Sequence, residues 1–410
     1  MRIMFLELKR VIKSPMTWIS ATIAIALSVV ISFAVISYSR YVDVDKNGNK
    51  VLVTGRAAIR TGKRAMKPYE GPLSEQKLQQ VLKTYQTVYK KYGKDIPIDV
   101  YREKLLPINS FLDMISEVYS GGINYFESLN KIKPEDIINF YKQRSEMLKT
   151  QLEAKYPNNA DAQKEVMALN QKVKTPFIFY QGYTGDAADN LAILISLLVL
   201  ICAVIVSPIF SAEYQNGSDD ILRCTKYGKT RLAATKLCAS LFIVFAMFTI
   251  CISIFVLIVN SAYGWDSLQT SAQVLSSALS FLPLTMSQEQ ELTILAGLIT
   301  LLAVACFTLF ISAKCYNPTT TLVIAIAFCL LPVILYSVGQ GNFINLLVCL
   351  LPAGGSGLTN SFYFQLRNTL FLQIGSFSIW APYLMMGAAI IEIPMFFILS
   401  IHTYCKHQTV

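Results

Sequence analysis

The chain has 410 residues, 53% of them hydrophobic and only 15% charged, with a net charge of +10. A soluble protein carries about 25% charged residues, so an ordinary water-soluble globule is excluded. A nucleic-acid partner is not indicated either: residues 39–189 hold 24 Lys and Arg against 18 Asp and Glu, the remaining excess flanks apolar runs, and no motif interleaves cations with aromatics.

The first residues, MRIMFLELKRVIKS, predict an amphipathic helix over 1–15. Met4, Phe5, Leu8, Val11 and Ile12 share one face at helical spacing, and Arg2, Lys9, Arg10 and Lys13 lie toward the other. A basic helix of this kind lies in the plane of the membrane interface, apolar face down. Residues 16–38 follow as a first transmembrane helix. Its apolar run, Met16 to Ile36, is longer than the roughly 7–15 residues of a signal-peptide core, and no A-x-A site follows, so an uncleaved helix is expected.

Residues 39–189 read as a soluble domain that contains none of the nine cysteines. Helices are expected over Ser74 to Tyr92, Ile108 to Tyr119, Pro134 to Tyr156 and Ala160 to Val173, each with apolar residues at helical spacing. The preceding basic stretch, Val42 to Lys67, is expected to be irregular or strand-like. Within it Arg60, Lys63, Arg64 and Lys67 form a candidate basic patch. The patch suits anionic cargo or anionic lipid headgroups, and it equally suits a solvated basic loop.

A helix needs about 20 apolar residues to cross the hydrocarbon core. Five further runs qualify within 190–401: Asn190 to Phe210, Leu237 to Val259, Leu292 to Ala313, Thr319 to Val338 and Trp380 to Ile401. Six spans result. Lys and Arg cluster before the first span, between the second and third, and at Lys314 and Lys406, whereas Ser261 to Gln290 has neither. The positive-inside rule then places both termini and the tail, 402–410, in the cytoplasm of a multi-pass cell-membrane protein, with 39–189 outside. Phe343 to Leu358 and Phe362 to Gly375 are too short to cross, so 343–375 is expected to hold external re-entrant segments, an extra helical hairpin being the alternative. The fold expected is an all-α polytopic membrane protein with six transmembrane helices, an N-terminal interfacial helix and a mostly helical extracellular domain.

The loop 211–236 mixes acidic, basic and apolar residues. A short helix there would carry Ile221 and Leu222 beside Asp219 and Asp220, which suits a groove on a cytoplasmic partner. Gly228-Lys229-Thr230 is not a P-loop, because Arg223 stands where the first glycine belongs. The pattern F-x-x-E-Y-x-x-G…L-x-x-T-K-Y-G-K-T-x-L…K, carried by Phe210, Glu213, Tyr214, Gly217, Leu222, Thr225 to Thr230, Leu232 and Lys236, resembles ABC-2-type permeases, the membrane subunits of Gram-positive ABC exporters. The external motifs GPLSEQKLQQVLKTY and IINFYKQR are similar, more weakly, to members with a large extracellular domain between the first two spans. That resemblance implies a coupling helix in this loop, docking on an ATPase through Glu213, Tyr214, Gly217, Asp219, Asp220, Lys226, Tyr227, Gly228 and Arg231. It also implies ABC ATPase subunits that carry the ATP and Mg, a second permease subunit that is identical or homologous, and a peptide, drug or lipid-like cargo. No cofactor or metal is expected on this chain, nor catalysis: the only histidines are His402 and His407, and neither HExxH nor GxSxG occurs.

Glu392 lies midway along the last span, two residues before Pro394. An intramembrane carboxyl suits cargo contact or gating, or a structural hydrogen bond to backbone freed by proline. Two other function classes stay open. A secondary transporter is disfavoured by the lack of repeats and of several midplane charges. A membrane-anchored cell-envelope receptor or interaction protein would need fewer spans.

Overall fold

A computed structural model describes residues 2–44, 50–121, 125–225, 228–339, 341–357, 360–375 and 377–407. The structure is 77% helical, and among the described residues six helices are long and apolar enough to cross a membrane. The protein is an all-α polytopic membrane protein. The six are Pro15–Tyr38, Gly185–Asn216, Thr230–Tyr263, Met286–Lys314, Pro318–Val338 and Ala381–Lys406. The first five include their apolar runs and the sixth starts one residue late, at Ala381, because Trp380 closes the preceding strand; most extend beyond the run, because the helix continues into the polar interface, where water can serve the terminal backbone groups. The second and fourth spans are the most enclosed, with 67% and 61% of their apolar windows buried against 22–39% for the other four. They form the inner helices, and the other four present lipid-type surface.

The chain divides into two compact units. One unit comprises Met1–Ile31, Asp189–Leu257 and Leu292–Val410. It opens with the amphipathic helix Arg2–Lys13. Between the fifth and sixth spans lie the helices Asn342–Leu350 and Phe362–Arg367, of 9 and 6 residues. At 1.5 Å per residue neither can cross, so no extra spanning hairpin forms among the described residues. The Gly357 N–H donates to Ser196 Oγ at 3.0 Å, and Ser196 lies about midway along Gly185–Val206, the first part of the second span. The connecting turn therefore reaches into the helical bundle. The second expected re-entrant segment differs from its sequence reading. After Arg367 the chain forms an antiparallel hairpin, Phe371–Ile374 with Phe377–Trp380. Phe371 pairs across the ladder with Trp380, an aromatic pair that suits a hairpin, and Leu372 packs with Cys349, Ala381 and Met385.

The second unit comprises Ser32–Ala188 and Ile258–Glu291, so the hydrophilic domain also takes in the segment joining the third and fourth spans. Ser74 caps the helix Glu75–Tyr92, its Oγ accepting from the Lys77 N–H at 3.3 Å. That helix buries Leu78, Val81, Leu82 and Tyr85 against Phe111 and Ile115 of Asn109–Ser120, and Phe140, Phe177 and Phe179 complete the core. The expected helix over 134–156 divides into a 3-10 turn, Pro134–Asn139, and an α-helix, Phe140–Lys155.

Two side chains bind the joining segment to this core. Arg144, buried in Phe140–Lys155, donates to the carbonyls of Ala278 (2.6 Å) and Ser280 (2.5 Å) and to Asn170 Oδ1 (2.6 Å). Burial lowers its pKa to about 10, so it stays charged at neutral pH. The Glu117 carboxylate accepts from the Ala278 N–H at 2.7 Å and from the Ser277 hydroxyl. Val274, Ala278 and Leu279 enter the same core.

The basic stretch corrects the sequence reading. Its first part is a hairpin, Arg40–Val44 with Lys50–Thr54, but Gly55–Met66 is an α-helix rather than irregular or strand-like. Ala58, Ile59, Gly62 and Met66 are its buried face.

Candidate functional site

The final segment of the second span, beyond Ser207, and the loop that follows are built on a cluster of buried charge. Pro208 opens the helix Pro208–Asn216, where its missing N–H costs nothing. This helix places Phe210, Glu213 and Tyr214 inward. The Glu213 carboxylate pairs with Lys236 of the third span through one oxygen and with Arg10 of the N-terminal helix through the other. Arg10 also pairs with Glu7 at 2.9 Å. The four formal charges balance. The Lys236 side chain is fully enclosed, and the rings of Phe210 and Tyr404 lie 5.7 and 5.6 Å from its ammonium. A buried charge without such partners would cost several kcal/mol.

Around this cluster further hydrogen bonds and a ring stack hold the chain. The N–H groups of Phe210 and Ser211 donate to Ser312 Oγ at 3.1 and 3.2 Å, and that hydroxyl donates to the Ser207 carbonyl at 2.7 Å. Tyr214 stacks on His407, with centroids 4.0 Å apart and planes 10° from parallel. Gly217 ends the helix in the left-handed conformation, φ +65°, its N–H capping the carbonyls of Glu213 and Tyr214. A side chain there would be strained, which accounts for the glycine.

The short helix Ser218–Arg223 follows, with Asp219 and Asp220 in its first turn, where carboxylates favour the positive end of the dipole. Asp219 is buried, whereas Asp220 and Ile221 face outward, Ile221 being 75% exposed. Arg223 closes the helix against the end of the last span. It donates to the carbonyls of Tyr404 (2.5 Å), Cys405 (3.3 Å) and His407. These are terminal helix acceptors that an arginine satisfies well. Asp220, Arg223, Cys224, Lys229, Lys406 and His407 line a groove of about 860 Å³ there.

The sequence candidates therefore divide into two sets. Glu213, Tyr214, Asp219 and Gly228 are buried; Gly217, Asp220 and Arg231 are exposed. Lys226 and Tyr227 lie outside the described residues. Sequence reasoning missed the roles of Glu7, Arg10 and Arg223. The Glu7–Arg10 spacing of i,i+3 was the available signal.

The intramembrane pair is not one site. Glu392 is buried in the last span, and its Oε2 has no hydrogen-bond partner among the described residues. Pro394 is exposed, two residues on and so about 200° around the helix. In the other unit, Arg60, Arg64 and Lys67 are exposed, while Lys63 pairs with Asp266 at 3.1 Å. Among the described residues no group of His, Cys, Asp and Glu could hold a metal ion.

No protein-family model matches the sequence, and no curated protein matches it.

Proposed function

We propose that this chain is the membrane subunit of an ATP-driven exporter of the ABC-2 type that its loop resembles. It would move a peptide, drug or lipid-like cargo across the cell membrane. Both termini would be cytoplasmic and the hydrophilic domain outside. The observation that carries this reading is the division of the loop into an anchored inner half and an exposed outer half. Glu213, fixed between Arg10 and Lys236, ties the loop to the N-terminal helix and the third span. Outside it stands exposed Ile221, an apolar knob beside the exposed Asp220, and Arg231 is exposed at the start of the third span. A knob on a rigid base fits a groove on a partner and passes the partner's motion to the spans. ATP and Mg would sit on ATPase subunits, and a second permease, identical or homologous, would complete the pore.

The test is retention. Pulled from native membranes in mild detergent, the chain should bring an ATPase subunit with it. Ile221→Glu combined with Arg231→Glu should release the ATPase while leaving the amount of inserted chain unchanged. A chain that purifies alone and still transports in vesicles lacking any ATPase would overturn the proposal.

A further inference from the structure

We infer that the helix Gly55–Met66 is a binding surface for anionic lipid headgroups, set at the level of the membrane interface. The inference does not depend on the exporter reading. It starts from where two spans end. The first span ends at Tyr38 and the third at Tyr263. The Ser39 and Tyr263 hydroxyls lie 2.7 Å apart, so the two ends stand at one level. Tyr38 is 71% exposed, and Trp265, just past the third span, is 52% exposed. Tyr and Trp with one polar edge concentrate at headgroup depth.

The basic helix is pinned to this level at two places. Its first residue, Gly55, donates its N–H to the Ser39 carbonyl at 2.9 Å. Two turns on, Lys63 pairs with Asp266, the residue after Trp265. A helix fastened at both points to span ends runs along the interface rather than away from it. Ala58, Ile59, Gly62 and Met66 are turned into the protein. The face that remains carries Arg56, Arg60, Arg64 and Lys67, all exposed and with no ion-pair partner among the described residues. At 100° per residue, these four fall within about 80° of one another. The apolar face is already occupied by the protein, so this helix does not insert as a free amphipathic helix would. It presents a row of cations to the headgroup layer. Guanidinium groups pair with phosphate bidentately. A soluble anionic cargo is less well served, because the helix is fixed at the membrane boundary and not at the far end of the domain.

A cation held at an anionic surface adds about a fivefold preference, roughly 1 kcal/mol. The full chain is reconstituted in nanodiscs of phosphatidylcholine with a minor fraction of phosphatidylglycerol, and retained lipids are counted by native mass spectrometry. Retained phosphatidylglycerol should exceed its bulk share about fivefold or more. Combined Arg56→Gln, Arg60→Gln, Arg64→Gln and Lys67→Gln should return it to the bulk ratio. Neutralising Lys83, Lys90, Lys149 and Lys164, also exposed in this unit, should leave the enrichment intact. Enrichment that survives the first set, or falls equally with the second, overturns the inference. So does loss of binding of soluble polyglutamate, in pure phosphatidylcholine discs, by a first-set variant whose lipid preference is unchanged. Should the first variant not insert, the wild-type enrichment must still collapse in high salt, and its persistence there is equally decisive against the inference.

Discussion

Replacing Lys236 by methionine tests the buried charge cluster most directly. The substitution keeps the length of the side chain and removes its charge. Lys236 is fully enclosed and Glu213 nearly so, whereas the Arg10 side chain is 39% exposed. At an effective dielectric of about 20, a contact between unit charges is worth about 4 kcal/mol. Glu213 in the variant keeps only the contact to Arg10, which solvent screens. The expected cost is about 3–5 kcal/mol, the penalty for stranding one partner of a buried pair. Glu213→Leu combined with Lys236→Met removes both enclosed charges and leaves Arg10 with Glu7. That double variant should lie within about 1 kcal/mol of the parent, because a well-packed apolar replacement of a buried pair is often neutral. Lys236→Arg should be less stable than the parent, since a planar fork replaces the compact ammonium that sits near the Phe210 and Tyr404 rings. The assay is denaturant unfolding of the purified chain in mixed micelles, run as a double-mutant cycle. A Lys236→Met variant as stable as the parent, or a double variant as damaged as the two single changes added together, would refute the reasoning.

Arg144→Met should cost about 3 kcal/mol by leaving the Ala278 and Ser280 carbonyls unserved; faster hydrogen exchange across 270–285 checks it, and Arg144→Lys should restore little. Gly182→Ala places a methyl 2.6 Å from the Ser267 Cβ and against the Tyr263 carbonyl, so expression of folded chain should fall sharply. Burial, with Arg223 adding to it against the opposite pull of Asp219 and Asp220, lowers the His407 pKa from 6.5. The unfolded chain then binds the proton more readily, so the Tyr214–His407 stack should weaken as pH falls below about 6.5, and pH-dependent thiol labelling of Cys405 should vanish in His407→Phe. Cys224 is exposed in the loop and the hydrophilic domain holds no cysteine; with the orientation proposed above, a membrane-impermeant maleimide should label Cys224 in inside-out vesicles and not in intact cells.

The spans were legible because solvation by lipid selects apolar runs directly, whatever the tertiary structure. Their ends were not, since residues such as Asp186 and Glu289 continue the helix in polar surroundings. The helix Gly55–Met66 was missed for a different reason. Its only large apolar residues are Ile59 and Met66, and the helical period is carried by the cations Arg56, Arg60, Lys63, Arg64 and Lys67. Glu213 and Lys236 were assigned to a partner or to topology because a loop charge is ordinarily solvated. Their burial depends on Arg10 and Glu7, far away in sequence, and local pattern does not contain it. The outward position of Asp220 and Ile221, by contrast, follows from the short helix alone.

The contacts of Arg223 impose an order on assembly. Arg10, Glu213 and Lys236 are all translated early and can meet while the ribosome is still adding the later spans. The acceptors of Arg223 are not: Tyr404 and Cys405 stand in the final turn of the sixth span and His407 just after it. The Ser218–Arg223 helix therefore stays unlatched until the last span has been inserted. The outer face, with exposed Asp220 and Ile221, takes its finished form only once the sixth span is in place.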